Sequence, residues 1–164
     1  MEKNYILSPK VAAKKLKRMA FEILENNLGE THFILAGIRE NGTVIAKAIQ
    51  DLLKEVSGIS TELITISLDK KNPKEVTLSR QPNLFNQVII IIDDVSNSGK
   101  TLLYSLKPFL DSAPRKIQIL VLVERSYNTF PVKPDYVGLS VATTLQEHIY
   151  VEVEGENIKG AWLE

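Results

Sequence analysis

Residues 88–101 constrain this chain more than any other stretch. Val88, Ile89, Ile90, Ile91 and Ile92 form an unbroken β-branched run, and Asp93 and Asp94 end it. A strand with one wet face alternates apolar and polar residues. A continuous apolar run instead predicts a strand covered on both faces, as in a parallel sheet with helices on either side. Here that strand runs straight into two carboxylates and then into Val95, Ser96, Asn97, Ser98, Gly99, Lys100 and Thr101. Open α/β sheets bind ligands beyond the carboxyl ends of their strands. The segment therefore puts charge, hydroxyls and a flexible glycine where a ligand would sit.

The rest of the chain supplies the partners such a strand needs. Ser8 and Pro9 read as a helix cap and first helical position. Ala12, Leu16, Met19, Ala20, Ile23 and Leu24 follow at helical spacing until Gly29. Residues 33–36 read as a short strand that enters a loop of Ile38, Arg39, Glu40, Asn41 and Gly42. The next helix buries Val44, Ile45, Ala48, Ile49, Leu52 and Leu53. Residues 63–68 read as a strand. Residues 69–86 are polar, contain Pro73 and Pro82 and lack periodicity, which predicts a long loop of the lid or disordered kind with a brief strand near Val76. A helix over roughly 99–111, a buried strand at 117–123 and shorter edge strands around 135–138 and 148–153 complete the reading. Strands alternating with helices predict an α/β fold, an open parallel sheet flanked by helices on both faces. No linker or repeat interrupts it, so residues 1–164 are expected to form a single domain.

Composition narrows the function classes. The chain has no cysteine, which excludes disulfides and thiolate metal sites. His32 and His148 are too few and too separated for a zinc centre, and no residue is assigned as a metal ligand. No apolar run approaches the length of a membrane span and the amino-terminal residues lack a signal-peptide core, so a cytoplasmic protein without a membrane partner is expected. Twenty basic and twenty acidic residues cancel, which argues against RNA as a partner. Lys10, Lys14, Lys17 and Arg18 lie off the apolar stripe of the first helix, as a solvated face or a local basic patch.

The loop after Asp94 suits a sugar phosphate. Exposed N–H groups at the start of a helix bind a phosphate dianion, Ser96, Ser98 and Thr101 add hydroxyl donors, and Gly99 permits close backbone approach. Two carboxylates repel phosphate, so Asp93 and Asp94 must serve another part of the ligand, for which ribose hydroxyls are suitable. A nucleotide-triphosphate loop would need glycine at the position of Asp94. An acidic helix cap without ligand gives paired acids little purpose, and a receiver-type acidic pocket draws its acids from separate strand ends and has no phosphate-cradling loop.

A hydrophobic strand, two acids and a Ser-Gly-Lys-Thr loop resemble the phosphoribosyl pyrophosphate signature of type I phosphoribosyltransferases, with Ser98 where threonine is usual. The stretch at 34–47, Ile-Leu-Ala-Gly-Ile-Arg-Glu-Asn-Gly-Thr-Val-Ile-Ala-Lys, is similar to the pyrophosphate loop of the pyrimidine-operon attenuation regulators, a uracil-active branch of that family. Val121, Leu122, Val123, Glu124 and Arg125, with Pro134, Asp135, Tyr136, Val137 and Gly138, resemble the base-binding segments of that branch and of the hypoxanthine-guanine enzymes.

The resemblance implies the type I phosphoribosyltransferase fold, with a small base-binding region at its carboxyl-terminal edge. It implies a transferase that moves the 5-phosphoribosyl group of phosphoribosyl pyrophosphate to a nucleobase, uracil favoured, with Mg2+ and release of pyrophosphate. Asp93 and Asp94 would hold the ribose and act in catalysis, and residues 95–101 would hold the 5-phosphate. Residues 38–42 would face pyrophosphate, and Arg125, Tyr136 and Val137 the base. Tyr136 has two readings, stacking on the base or filling the core. The implied partners are the pyrophosphate substrate and a nucleobase or nucleotide, in a homodimer or dimer of dimers. The alternative is a pyrimidine-responsive RNA-binding regulator, or a nucleotide-binding homologue with weak catalysis. Three departures stand out: Asn41 occupies a basic position of the regulators, Glu124 stands where the 6-oxopurine enzymes carry lysine, and the mobile-loop arginine is replaced by Lys70, Lys71 or Arg80.

Overall fold

The computed structural model describes residues 2–144 and 146–164. Its elements run β1 (Asn4–Leu7), α1 (Pro9–Glu25), β2 (His32–Ile38), α2 (Asn41–Val56), β3 (Ser60–Leu68), β4 (Val76–Leu78), β5 (Val88–Ser96), α3 (Lys100–Ser105), α4 (Lys107–Leu110), β6 (Lys116–Arg125), β7 (Tyr136–Val141), β8 (Ile149–Glu154) and β9 (Asn157–Leu163). The main sheet has the order β4-β3-β2-β5-β6-β7. All its pairings are parallel except β3 with β4. The β-branched strand β5 lies inside it, as its composition requires. Ile90 and Ile92 face α1 and α2, packing with Met19 and Ile45, whereas Ile89 and Ile91 face α3 and α4, packing with Leu102 and Phe109. Each face of β5 is thus closed by a helical layer, which removes its side chains from water and supplies much of the driving force for folding.

The first helix begins as its sequence dictates: the Ser8 hydroxyl accepts from Val11 N at 3.2 Å, and Pro9 sits where no amide donor is needed. Four features depart from the sequence reading. The region 69–86 is not one open loop, because Val76 and Leu78 pack on the core beside Leu68 and Leu84 is buried. Residues 69–75 form the turn of the β3–β4 hairpin, and the residues after Leu78 lead on to β5. The helix expected over 99–111 is two short pieces, since Pro108 has no N–H with which to continue α3 and helical geometry restarts at α4. The strand near 148–153 does not join the main sheet. It forms a second sheet of order β1-β9-β8, whose apolar face, with Leu7, Ile149, Val151 and Ala161, packs on the α1/α2 layer. β1 and β9 escaped the sequence reading: β1 is four residues long and finds its partner only at the other end of the chain, and β9, paired both to β1 and to its hairpin neighbour β8, is interrupted by Gly160. No helix among the described residues is long and apolar enough to cross a membrane.

Candidate active site

Beyond Ile92, the strand's in-and-out alternation carries Asp93 and Asp94 to the carboxyl edge of the main sheet. Asp93 is 1% exposed. Its Oδ1 accepts from Asp94 N at 2.8 Å, while Oδ2 is buried without a hydrogen bond among the described residues. Asp94 accepts from Val95 N through Oδ1 at 2.8 Å and from Asn41 Nδ2 through Oδ2 at 2.9 Å. Burial, and then the neighbouring Asp94 charge, push the Asp93 carboxyl well above the usual carboxylate range. The opposing charge is Lys70, whose Nζ lies 3.6 Å from Asp93 Oδ2 and 4.0 Å from Asp94 Oδ1.

The loop that follows is held open. Ser98 O accepts from Thr129 N at 3.0 Å and Phe130 N at 2.9 Å, which fixes the loop from behind. Gly99 adopts φ +84°, and a Cβ there would lie 3.2 Å from Phe130 O. Glycine makes this turn without steric cost. The N–H groups of Asn97, Ser98 and Gly99 donate to no other described residue. Because α3 has six residues, its dipole is small, and these successive loop amides, rather than the helix, are the donors available to an anion. A second close approach fixes the opposite side: a Cβ on Gly42 would lie 2.7 Å from Ile92 O, so only glycine lets the residue 39–42 loop rest against the acid-bearing strand.

Loop and acids share a cavity of about 360 Å³, lined by residues 95–102 together with Asn41, Lys70 and Asp94. Its far wall is strand β8, through Ile149, Tyr150 and Val151. Asn41 ties the two walls, since its Nδ2 donates both to Asp94 and to Val151 O at 3.0 Å. Beside it lies a second cavity of about 460 Å³ that includes Arg39, Glu40, Ser67, Asp69 and Glu75. The Arg39–Glu40 peptide bond at its mouth is cis.

Val95, Ser96, Asn97, Ser98, Gly99, Lys100 and Thr101 all line the first cavity. Arg39 and Glu40 line the second. Ile38 is fully buried on the α3/α4 side, so only its backbone is near either. Arg125 turns aside and donates to Glu147 O. Tyr136 is a correction. It is 1% exposed, and its hydroxyl donates to Gln118 Oε1 at 2.8 Å while Asn27 Nδ2 lies 3.3 Å away. Burial pushes its phenol up to about 12. It fills the core and has no free ring face for a base, which settles its two readings for packing. Val137 is half-buried against the α3/α4 core and lines neither cavity. Of the three candidate cations, Lys70 reaches the acids, whereas Arg80 pairs with Glu62 at 3.0 Å and with Leu63 O. Lys71 donates its amide to Asp69 Oδ1 in a local turn. The β8 wall was missed. Its alternating Ile149 and Val151 signalled a half-buried strand, but nothing local in the sequence shows that this strand leaves the main sheet to face the phosphate loop.

A parallel sheet ending in an acid pair, an open amide loop and a detached small sheet above them define a phosphoribosyltransferase, and this chain belongs to that family of pentosyl-transferring enzymes: residues 5–154 match the phosphoribosyl transferase domain. It is similar to the bifunctional protein PyrR of Macrococcus caseolyticus, with 31% identity over 94% of each chain. It is 32% identical to the bifunctional protein PyrR of Clostridium acetobutylicum, over 93% of this chain and 92% of that one. Among solved structures it resembles the hypoxanthine phosphoribosyltransferase of Trypanosoma cruzi, with TM-score 0.79, 13% identity and coverage of 99% and 98%. It also resembles a hypoxanthine-guanine phosphoribosyltransferase of Bacillus anthracis, with TM-score 0.74, 20% identity and coverage of 91% and 88%. At those identities the structural likeness speaks for the fold.

Proposed function

We propose that this protein transfers the 5-phosphoribosyl group of phosphoribosyl pyrophosphate to a nitrogen of uracil. The observation that carries the reading is the row of unbonded N–H groups at Asn97, Ser98 and Gly99 in one cavity with the Asp94 carboxylate. Donors for a 5-phosphate stand beside acceptors for ribose hydroxyls. In the reaction the base nitrogen bonds to C1 of the sugar and loses its proton, while the C1–oxygen bond breaks and its electron pair leaves with pyrophosphate. Positive charge develops on the sugar ring, and the fixed carboxylates of Asp93 and Asp94 are placed to stabilise it. Ile38, Arg39, Glu40, Asn41 and Gly42 flank the leaving pyrophosphate, with Arg39 its cation. Arg125 acts on the base side by holding the Glu147 backbone next to β8.

Strand β8 supports a pyrimidine acceptor. His148 and Glu164 exchange both backbone hydrogen bonds, at 2.7 and 3.1 Å, and antiparallel alternation then turns the peptide groups of Ile149 and Val151 away from β9. Val151 O is taken by Asn41. What remains is a donor, an acceptor and a donor: Ile149 N–H, Ile149 C=O and Val151 N–H. Uracil presents the complementary acceptor, donor and acceptor at O4, N3–H and O2, and cytosine does not.

The donor set suits Mg2+ in one way. Among the described residues no three metal-binding side chains cluster, so the ion would take most of its oxygens from substrate and water, as Mg2+ prefers. Asp93, with its unbonded Oδ2, and Asp94 are the protein groups that would hold it. When bound it would neutralise pyrophosphate as leaving group. A cytoplasmic homodimer or dimer of dimers, built from a single domain over residues 1–164, completes the reading. The relatives' name as bifunctional proteins suggests a second activity; pyrimidine-responsive RNA binding is the one the sequence resemblance implies, and balanced charge argues against it. The decisive experiment incubates purified protein with phosphoribosyl pyrophosphate, Mg2+ and each common base. Uridine monophosphate from uracil and no product from cytosine is the expected result. No nucleotide from any base would leave the weakly catalytic, nucleotide-binding alternative.

A further inference from the structure

We propose that Lys70 is the resident counter-ion of the Asp93–Asp94 pair in the ligand-free protein, and that it leaves the pair for the pyrophosphate group when a sugar arrives. The second half rests on the phosphoribosyl pyrophosphate reading, and the first does not.

Two adjacent carboxylates, with side chains 1% and 11% exposed, cannot both stay ionised away from water without a nearby cation. Lys70 is the cation within ion-pair distance of both, at 3.6 and 4.0 Å. These distances exceed a hydrogen bond, and they contrast with Lys47–Asp51 at 2.8 Å and Lys159–Glu154 at 2.6 Å. Attraction without a directed bond holds Lys70 in place, so little geometry is lost when it departs. Its side chain is 46% exposed, on a flexible stem whose rotation carries the charge several ångströms.

The position of residue 70 gives the movement a direction. Lys70 lines the cavity of the phosphate loop, and the residue before it, Asp69, lines the neighbouring cavity with Arg39. The segment is anchored on its far side, where Lys107 Nζ donates to Lys74 O at 2.5 Å. Lys70 therefore stands at the partition between two cavities, on a short tethered turn. Ribose hydroxyls donating to Asp93 and Asp94 would take over its role at the acids. A diphosphate beside Arg39 would offer the released ammonium a stronger anion.

The test uses Lys70→Met and Lys70→Arg, with thermal midpoints to show that both are folded. Mn2+ binding to the ligand-free proteins is followed by electron paramagnetic resonance. Lys70→Met should bind Mn2+ at least about five-fold more tightly than wild type, because its competitor for the acids is gone, and Lys70→Arg should match wild type. Unchanged or weaker Mn2+ binding in Lys70→Met overturns the counter-ion role. Phosphoribosyl pyrophosphate and ribose 5-phosphate are then titrated separately by calorimetry. Lys70→Met should lose about ten-fold in affinity for the first and at most about two-fold for the second. Equal losses would show a general anion attractor and overturn the transfer. Should wild type bind neither sugar, the proposed function fails and the transfer with it, while the Mn2+ result still decides the counter-ion role.

Discussion

Asp93→Asn should make the protein more stable and its sugar binding worse. The substitution preserves shape and the acceptor at Oδ1 that receives Asp94 N–H at 2.8 Å. It removes a buried negative charge whose second oxygen has no hydrogen bond and which Asp94 repels. It also forfeits the attraction of Lys70, but burial and Asp94 outweigh that attraction in setting the Asp93 proton affinity. Relieving a buried charge that Lys70 only partly compensates should gain about 1–2 kcal/mol. In a chain of this size that corresponds to a rise of about 2–8 °C in the unfolding midpoint. The gain depends on pH with a definite sign. The folded protein holds the Asp93 proton more tightly than the unfolded chain, so above the ordinary carboxylate value of 3.8 wild-type stability falls as pH rises toward the raised folded value. The variant has no such slope, and the gap between the two proteins should be widest near neutral pH and close as the solution is acidified. Urea unfolding of both proteins from about pH 4 to about pH 8 measures it. A variant less stable than wild type at neutral pH, or a gap that stays constant across the range, would refute this account of the acid pair.

Asp94→Asn should leave the fold intact and weaken phosphoribosyl pyrophosphate binding by about 1.5–3 kcal/mol, the worth of a charged acceptor; equal calorimetric affinities for variant and wild type would remove the ribose role. Gly99→Ala forces a Cβ into the left-handed region at φ +84° and to 3.2 Å from Phe130 O. It should cost about 1–2 kcal/mol of stability together with ribose 5-phosphate affinity, and denaturant curves paired with titration report both. RNA binding should be weak and salt-sensitive, since the cations are spread along the chain and matched by acids. Tight, sequence-selective retention of a pyrimidine-operon leader on filters at physiological salt would move the regulator reading ahead.

What could be read in advance followed from local signals. The β-branched run placed β5 inside the sheet because an edge strand is not covered on both faces. The spacing of Ala12, Leu16, Met19, Ala20 and Ile23 marked the buried side of α1, and all five are buried. The loop at 95–101 stood out as a candidate ligand loop because acids, hydroxyls and glycine are contiguous there, and its residues line one cavity. What escaped depends on partners distant in sequence. Tyr136 looked like a candidate stacking ring until the structure showed its hydroxyl shared with Asn27 and Gln118, neither of them near it in the chain. Lys70 stood level with Lys71 and Arg80 until the β3–β4 hairpin aimed it at the acids. Nothing near Ile149 in the sequence says that β8 pairs with β9 instead of β7.

That small sheet joins the first strand to the last, with Asn4 opposite Leu163. Closing so long a loop is entropically slow compared with forming the neighbouring parallel pairs of the main sheet. During synthesis the phosphate loop and the acids can therefore assemble while the acceptor wall does not yet exist, because β9 emerges after every element of the main sheet. The same asymmetry persists in the finished protein. Opening the small sheet would break none of the main-sheet pairings, but it would uncover Leu7, Ile149, Val151 and Ala161, so packing rather than shared strands holds this wall in place. The residue 95–101 loop, by contrast, continues directly from β5 inside the main sheet. One half of the cavity is thus built into the main sheet, and the other is packed against it by the first and last strands.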